Sequence, residues 1–183
     1  MTMRTFLALA FLALPLTLAL GCSRVSSSEA RMLVARYNQV VSDAYRKGDI
    51  RLIDEVVGPD APDGKRLLGL IGVRMDMGLI LDSRLEALEV TGVEQLKDEL
   101  QVRTREQWRY RDVSAATGRQ MGEASVDHYE MRYRFSYHKG TWLVEETTFT
   151  APPQVGRKEV PWSMDVRDAH SMMSPPAKEG PKP

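Results

Sequence analysis

A single cysteine, three histidines and equal numbers of acidic and basic side chains narrow what this chain can be before any motif is considered. With Cys22 alone, no disulfide can form within the chain and cysteine-based structural zinc sites are excluded, so buried apolar surface has to carry stability. The balance of 25 basic and 25 acidic residues removes net-charge steering toward nucleic acid. There is no glycine-rich phosphate loop, nucleophile elbow or zinc-protease helix motif, and the histidines lack ligand spacing. The sequence therefore calls for no metal and no cofactor.

What the chain does have is a marked N-terminus. Arg4 precedes an uncharged stretch from Phe6 to Leu20, interrupted by Pro15, and the stretch closes in Leu18-Ala19-Leu20-Gly21-Cys22. This is the n-region, h-region and small-residue cleavage site of an export signal, too short for a comfortable membrane span. It resembles the lipobox of bacterial lipoproteins, departing from it in having Ala19 at the third position before the cysteine, where Leu is preferred. The resemblance implies a signal peptide over residues 1–21, cleavage before Cys22, acylation (palmitate and related chains) of Cys22, and a lipidated tether over 22–26. Several acyl chains give the stable membrane anchoring that one chain does not. Ser23, rather than Asp, after the cysteine points to the outer membrane, facing the periplasm.

Removing the signal leaves roughly 160 residues, enough for one domain with a real core. Ser26 and Glu29 form a capping-box pattern that predicts a helix start. Leu33, Tyr37, Val40, Val41, Ala44 and Tyr45 make its apolar stripe, and Arg46-Lys47-Gly48 its stop. Asp49 is placed to cap a second, shorter helix through Val57. A third begins near Asp60 and Pro62 and ends at Met77-Gly78; its apolar residues spread around the axis, which predicts the most buried helix of the three.

From Leu79 to Thr150 the period changes to two. The first strand switches parity near Ala87, which predicts a bulge. The second sets Leu100, Val102, Thr104, Glu106, Trp108 and Tyr110 against Arg103, Arg105, Arg109 and Arg111. The third sets Tyr129, Met131, Tyr133, Phe135 and Tyr137 against His128, Glu130, Arg132, Arg134 and His138. Lys139-Gly140 is a tight turn, followed by a fourth strand with Trp142, Val144 and Phe149.

Helices followed by hairpin-linked strands predict an α+β domain, its N-terminal helices packed on a curved, mainly antiparallel four-stranded sheet. Over residues 27–151 this order resembles the NTF2-like family, whose sheet wraps its helices as a cone. Val102 to Trp108, with Gly140-Thr141-Trp142-Leu143-Val144, also resembles the C-terminal domain of chloroplast-division scaffold proteins. Residues 152–183 are rich in proline and read as a disordered tail, in which Trp162 marks a candidate docking segment.

The resemblance implies that any chemistry sits inside the cone, where NTF2-like enzymes place His, Asp or Glu. The candidate pocket is Thr104, Glu106, Trp108, Tyr110 and Tyr133. Glu106 is read as the one strand carboxylate aligned with the core aromatics, and it has no evident acid or base partner. Its expected role is structural, satisfied by Tyr110, by a tyrosine hydroxyl of the third strand, or by water. On the other face, Arg103, Arg105, Arg132 and Arg134 form a candidate surface, with interspersed glutamates favouring cross-strand ion pairs over an anion site. No catalytic residue is assigned. The expectation is a membrane-anchored, non-enzymatic interaction module that binds another envelope protein; the alternative is a small-ligand-binding or weakly catalytic cone with Glu106 in its pocket.

Overall fold

The computed structural model describes residues 24–156. Helix α1, Ser27–Lys47, starts where the sequence places it: Ser26 accepts from the Glu29 backbone N–H at 3.2 Å, and Glu29 accepts from the Ser26 backbone N–H at 2.7 Å. It ends at Gly48, whose φ of 63° is the left-handed geometry glycine tolerates best. Asp49 caps the next segment, but that segment, Ile50–Glu55, is a short 3-10 helix. Helix α2 spans Pro62–Asp76, with Pro62 in its first turn.

One expectation is corrected by the burial pattern. The third predicted helix, α2, buries only Asp63, Leu67 and Ile71, while Leu68 and Met75 face outward. The most buried helix is α1, with eight buried residues including Asn38 and Ser42. The wide apolar spread on α2 therefore does not report enclosure: this helix lies at the margin of the sheet, and one stripe suffices to seal it.

Strands β1 (Leu79–Leu96), β2 (Glu99–Ser114), β3 (Gln120–His138) and β4 (Thr141–Phe149) form one antiparallel sheet in the order of the chain. The bulge expected near Ala87 lies between Leu85 and Ala87, and a second lies between Val90 and Gly92. Such irregularities bend a strand and increase its twist, which is how an open sheet closes around a helix. The outer edge of β4 is covered by Val56, Val57 and Gly58: the Val144 N–H donates to the Val56 carbonyl at 2.8 Å and the Gly58 N–H to the Val144 carbonyl at 2.9 Å. Covering an edge in this way removes unpaired backbone that would otherwise invite association.

The core lies between α1 and the sheet. Leu100, Val102, Trp108 and Tyr110 of β2 and Tyr129, Tyr133 and Phe135 of β3 are buried on the parity expected, together with Val34, Tyr37 and Val41 of α1. Tyr137 continues that parity on β3 but is exposed, because the sheet extends past the helices there. Beyond β4 the chain folds back along β3, where Gln154 and His128 exchange both backbone hydrogen bonds (2.9 and 3.0 Å). Fixed contacts thus continue to Gly156, past the Ala151 boundary that the composition suggests. Among the described residues no helix is long and apolar enough to cross a membrane.

Candidate functional site

Glu106 sits at the centre of the buried face of β2. Alternation carries its side chain inward with those of Thr104 and Trp108, and all three are buried. A carboxylate in that position is tolerated only when its lone pairs are used. Here one oxygen accepts from the Thr104 hydroxyl at 2.7 Å and the Tyr133 hydroxyl at 2.6 Å; the other accepts from Trp108 Nε1 at 2.8 Å and, more weakly, Asn38 Nδ2 at 3.5 Å. Asn38 Nδ2 also donates to the Tyr133 oxygen at 3.1 Å, so α1, β2 and β3 are tied together at one carboxylate.

A second buried carboxylate lies a short way off. Asp63, in the first turn of α2, accepts from the Tyr37 hydroxyl, from Arg66 Nη2, and from the Thr147 hydroxyl at 2.9 Å. Arg66 also reaches the Thr147 hydroxyl at 2.6 Å and carbonyl at 3.3 Å, while its Nε is buried with no partner. Burial holds both the Tyr37 and Tyr133 hydroxyls well above the ordinary tyrosine range, reinforced by the charge of Asp63 on the first and Glu106 on the second. Both phenols are therefore fixed as donors.

Little space is left between these clusters. An internal cavity of about 40 Å³ is lined by Asn38, Glu106, Tyr133, Arg66 and Thr147 among others. A water needs at least about 10–15 Å³ on this measure, so the cavity has room for a few water molecules at most and is far below the 300 Å³ or more of a ligand pocket. The larger recess lies outside it, a groove of about 660 Å³ bordered by Pro62, Met131, Glu146, Phe149, Pro152 and Pro153. Arg66, Met131, Thr147 and Phe149 border both spaces and so form the partition between them.

The structure brings all five candidate pocket residues together on one face: Thr104, Glu106, Trp108, Tyr110 and Tyr133 are each buried. Trp108 stacks on Tyr110 with ring centroids 5.7 Å apart. Of the partners foreseen for Glu106, a third-strand tyrosine hydroxyl is used, that of Tyr133. Two readings are corrected. Glu106 is not the only strand carboxylate on the aromatic parity, because β3 begins at Gln120 and Asp127, two residues before Tyr129, points inward as well. It accepts from the Tyr129 hydroxyl at 2.8 Å and the Gly156 N–H at 2.9 Å. Nor is Glu106 without a titratable neighbour, since Tyr133 bonds to it directly.

Asn38, Asp63 and Arg66 were not foreseen. A signal for the first two exists in the sequence: Asn38 is four residues from Val34 and three from Val41 on the apolar stripe of α1, and Asp63 is four residues before buried Leu67. His128 and His138 are exposed on the outer face, as the alternation implies.

That outer face is a lattice of opposite charges. Arg103 pairs with Glu94 at 2.7 Å, Arg109 with Glu86 at 2.6 Å, Arg134 with Glu146 at 3.5 Å, and Arg105 bridges Glu89 and Glu130 at 3.7 and 3.5 Å. Arg132 donates to the Thr148 hydroxyl at 3.3 Å. Arg109 and Gln107 hold the Glu86 carboxyl below its usual range. Among the described residues, no group of three or more His, Cys, Asp or Glu is placed to hold a metal. Cys22 and Trp162 lie outside the described residues.

Comparison with known proteins bears on the fold. No protein-family profile matches the chain. No curated protein matches it either. Among solved structures, the intermembrane space region of the chloroplast protein ARC6 superposes with a TM-score of 0.62 at 19% identity, over 71% of this chain and all of that one. An NTF2-like superfamily protein from Salmonella enterica serovar Typhimurium aligns over 74% of this chain and all of its own at 12% identity, with a TM-score of 0.49. At these identities likeness concerns fold alone, and the architecture is the α+β one the order of elements implied: helices on an open, four-stranded antiparallel sheet.

Proposed function

We propose that this chain is a membrane-anchored envelope lipoprotein whose folded domain is a non-enzymatic protein-interaction module. The anchor is the acylated Cys22 after removal of residues 1–21, and the outer membrane, facing the periplasm, is its setting. One observation carries the non-enzymatic part. The acidic groups inside the cone are already engaged, Glu106 with four donors beside a cavity of only about 40 Å³, and Asp63, at the wall of the outer groove, with Tyr37, Arg66 and Thr147. A proton-transfer base needs a free lone pair and room for a substrate beside it. The interior reads instead as architecture, which leaves the outside of the domain for recognition, and the groove along β4 for a partner segment.

The test has two arms. Intact-mass analysis of the mature protein should find acyl groups on Cys22 that Cys22→Ala removes; an unmodified soluble form starting elsewhere ends the lipoprotein reading. Crosslinking of the anchored protein to its neighbours should yield a discrete partner whose capture is lost with Pro152→Glu at the exposed rim of the groove, in a variant that keeps its melting temperature.

A small-ligand-binding or weakly catalytic cone is supported by one feature: Arg66, with its unpartnered Nε, is one of the side chains, with Met131, Thr147 and Phe149, that stand between the groove and the Glu106 cavity. Thermal-shift screening with small acidic, lactone and polyketide-like compounds separates the two readings. A stabilisation of the wild type that Glu106→Gln abolishes favours the ligand-binding cone.

A further inference from the structure

We propose that the end of the sheet carrying the β1–β2 and β3–β4 turns is a membrane-contact surface, seated in the headgroup zone of the bilayer that holds Cys22. The inference rests on the lipoprotein reading above and concerns which end of the domain the anchor presses against the lipid.

The chain enters the fold beside this end. The Val25 N–H donates to Gln95 Oε1 at 2.7 Å, and Gln95 is the second-last residue of β1. Val25 is also packed against the core, so the point of entry is fixed. Val25 lies three positions after Cys22, and an extended chain covers about 3.6 Å per residue at most, so the tether reaches no more than about 11 Å. A headgroup layer is roughly 5–8 Å thick on each side of the hydrocarbon core. An acylated Cys22 therefore leaves no room to lift the last residues of β1 far above the headgroups.

The residues gathered at that end suit the position. Leu96 is 75% exposed and Tyr137 is 47% exposed. The Tyr137 N–H donates to the Asp98 carbonyl at 2.9 Å, which sets it beside the β1–β2 turn, and its ring meets half-buried Trp142 at a centroid distance of 5.0 Å. Tyr and Trp, apolar in body and polar at the tip, favour the interface between headgroups and hydrocarbon. Lys97 and Lys139 occupy the two turns, each exposed and each at positive φ (52° and 45°). Exposed Asp98 and Glu99 offset them, so this is an aromatic seat and not a basic patch. Binding by such a seat persists on zwitterionic lipid and at high salt, where screening abolishes attraction between charges.

The probe is the full acylated protein carrying Trp162→Phe, reconstituted into phosphatidylcholine vesicles with spin-labelled headgroups. Of its two remaining tryptophans, Trp108 is buried. A fraction of the emission should be quenched, the quenching should withstand high salt, and Trp142→Phe on this background should abolish it. Hydrogen exchange gives a reading that needs no substitution at the tip: residues 95–99 and 137–142 should exchange more slowly on vesicles than in the soluble Cys22→Ala form. Acyl groups on Cys22 with neither quenching nor protection at the tip would overturn this proposal and leave the lipoprotein reading standing. A Cys22 without acyl groups would overturn both.

Discussion

The Tyr133 hydroxyl on β3 donates to Glu106 on β2 at 2.6 Å, although the Cα partner of Glu106 across the ladder is Tyr129. The bond therefore runs diagonally, four residue pairs along the ladder, and reaches the carboxylate along the buried face. Asn38 of α1 meets both groups, so this contact joins the helix to the two central strands.

The chemistry of that junction sets opposite expectations for two substitutions. Glu106→Gln puts an amide nitrogen where one carboxylate oxygen stood; hydroxyls can reverse their bonds, so placing it toward Thr104 and Tyr133 leaves Trp108 its acceptor. The loss should be about 1 kcal/mol. Glu106→Ala leaves the Trp108 donor buried without an acceptor, leaves the Tyr133 hydroxyl only its longer bond to Asn38 Oδ1 at 3.3 Å, and opens a cavity, so roughly 3–5 kcal/mol is expected. Urea denaturation of both variants checks this; equal losses would refute the network as the source of stability.

Alkaline titration addresses the same residues from the other side. Tyr37 and Tyr133 are held above the ordinary value of 10.0 in the folded chain, so above that pH the unfolded state binds fewer protons than the native one. Their contribution is present in full below about pH 10 and declines as pH rises toward the folded-state values. Melting temperature measured against pH should fall steeply in this range, less steeply for Tyr37→Phe. Phenolate absorbance should show that Tyr37 and Tyr133 ionise only as the chain unfolds, read as the change that Tyr37→Phe and Tyr133→Phe each make to the titration.

Truncation distinguishes the end of the fold from the end of the regular strands. Stopping after Gly156 keeps the Gln154–His128 pairing and the Gly156 bond to Asp127, and should leave the melting temperature unchanged. Stopping after Ala151 deprives buried Asp127 of that donor and bares the His128 backbone, at a cost of about 1–3 kcal/mol. Identical melting curves for the two truncations would show that the returning segment contributes nothing.

Replacing Arg103 and Arg105 together by Ser should change stability by less than about 1 kcal/mol, because exposed ion pairs are screened and each holds a flexible side chain in place. Thermal melts at low and high salt provide the measurement. A loss of several kcal/mol would mean that the outer face is structurally essential.

Much of this protein is legible in its sequence because the relevant physics is local. The capping box at Ser26 and Glu29, the helix stop at Gly48 and the bulge near Ala87 each depend on residues within a few positions of one another. Period-two alternation likewise determines that Glu106 faces the core and Arg105 does not, since neighbouring side chains on a strand must point apart. The tertiary structure decided what the sequence spacing does not encode. Asn38, Glu106 and Tyr133 are 68 and 95 positions apart in their bonded pairs, and Asp63 meets Thr147 across 84. Which carboxylate finds which donor follows from how α1 and α2 cross the sheet, and that crossing is set by packing of the whole apolar face. The same reason explains why α2 lies at the margin and α1 at the centre: both carry apolar residues enough for burial, and only the curvature of the sheet selects between them.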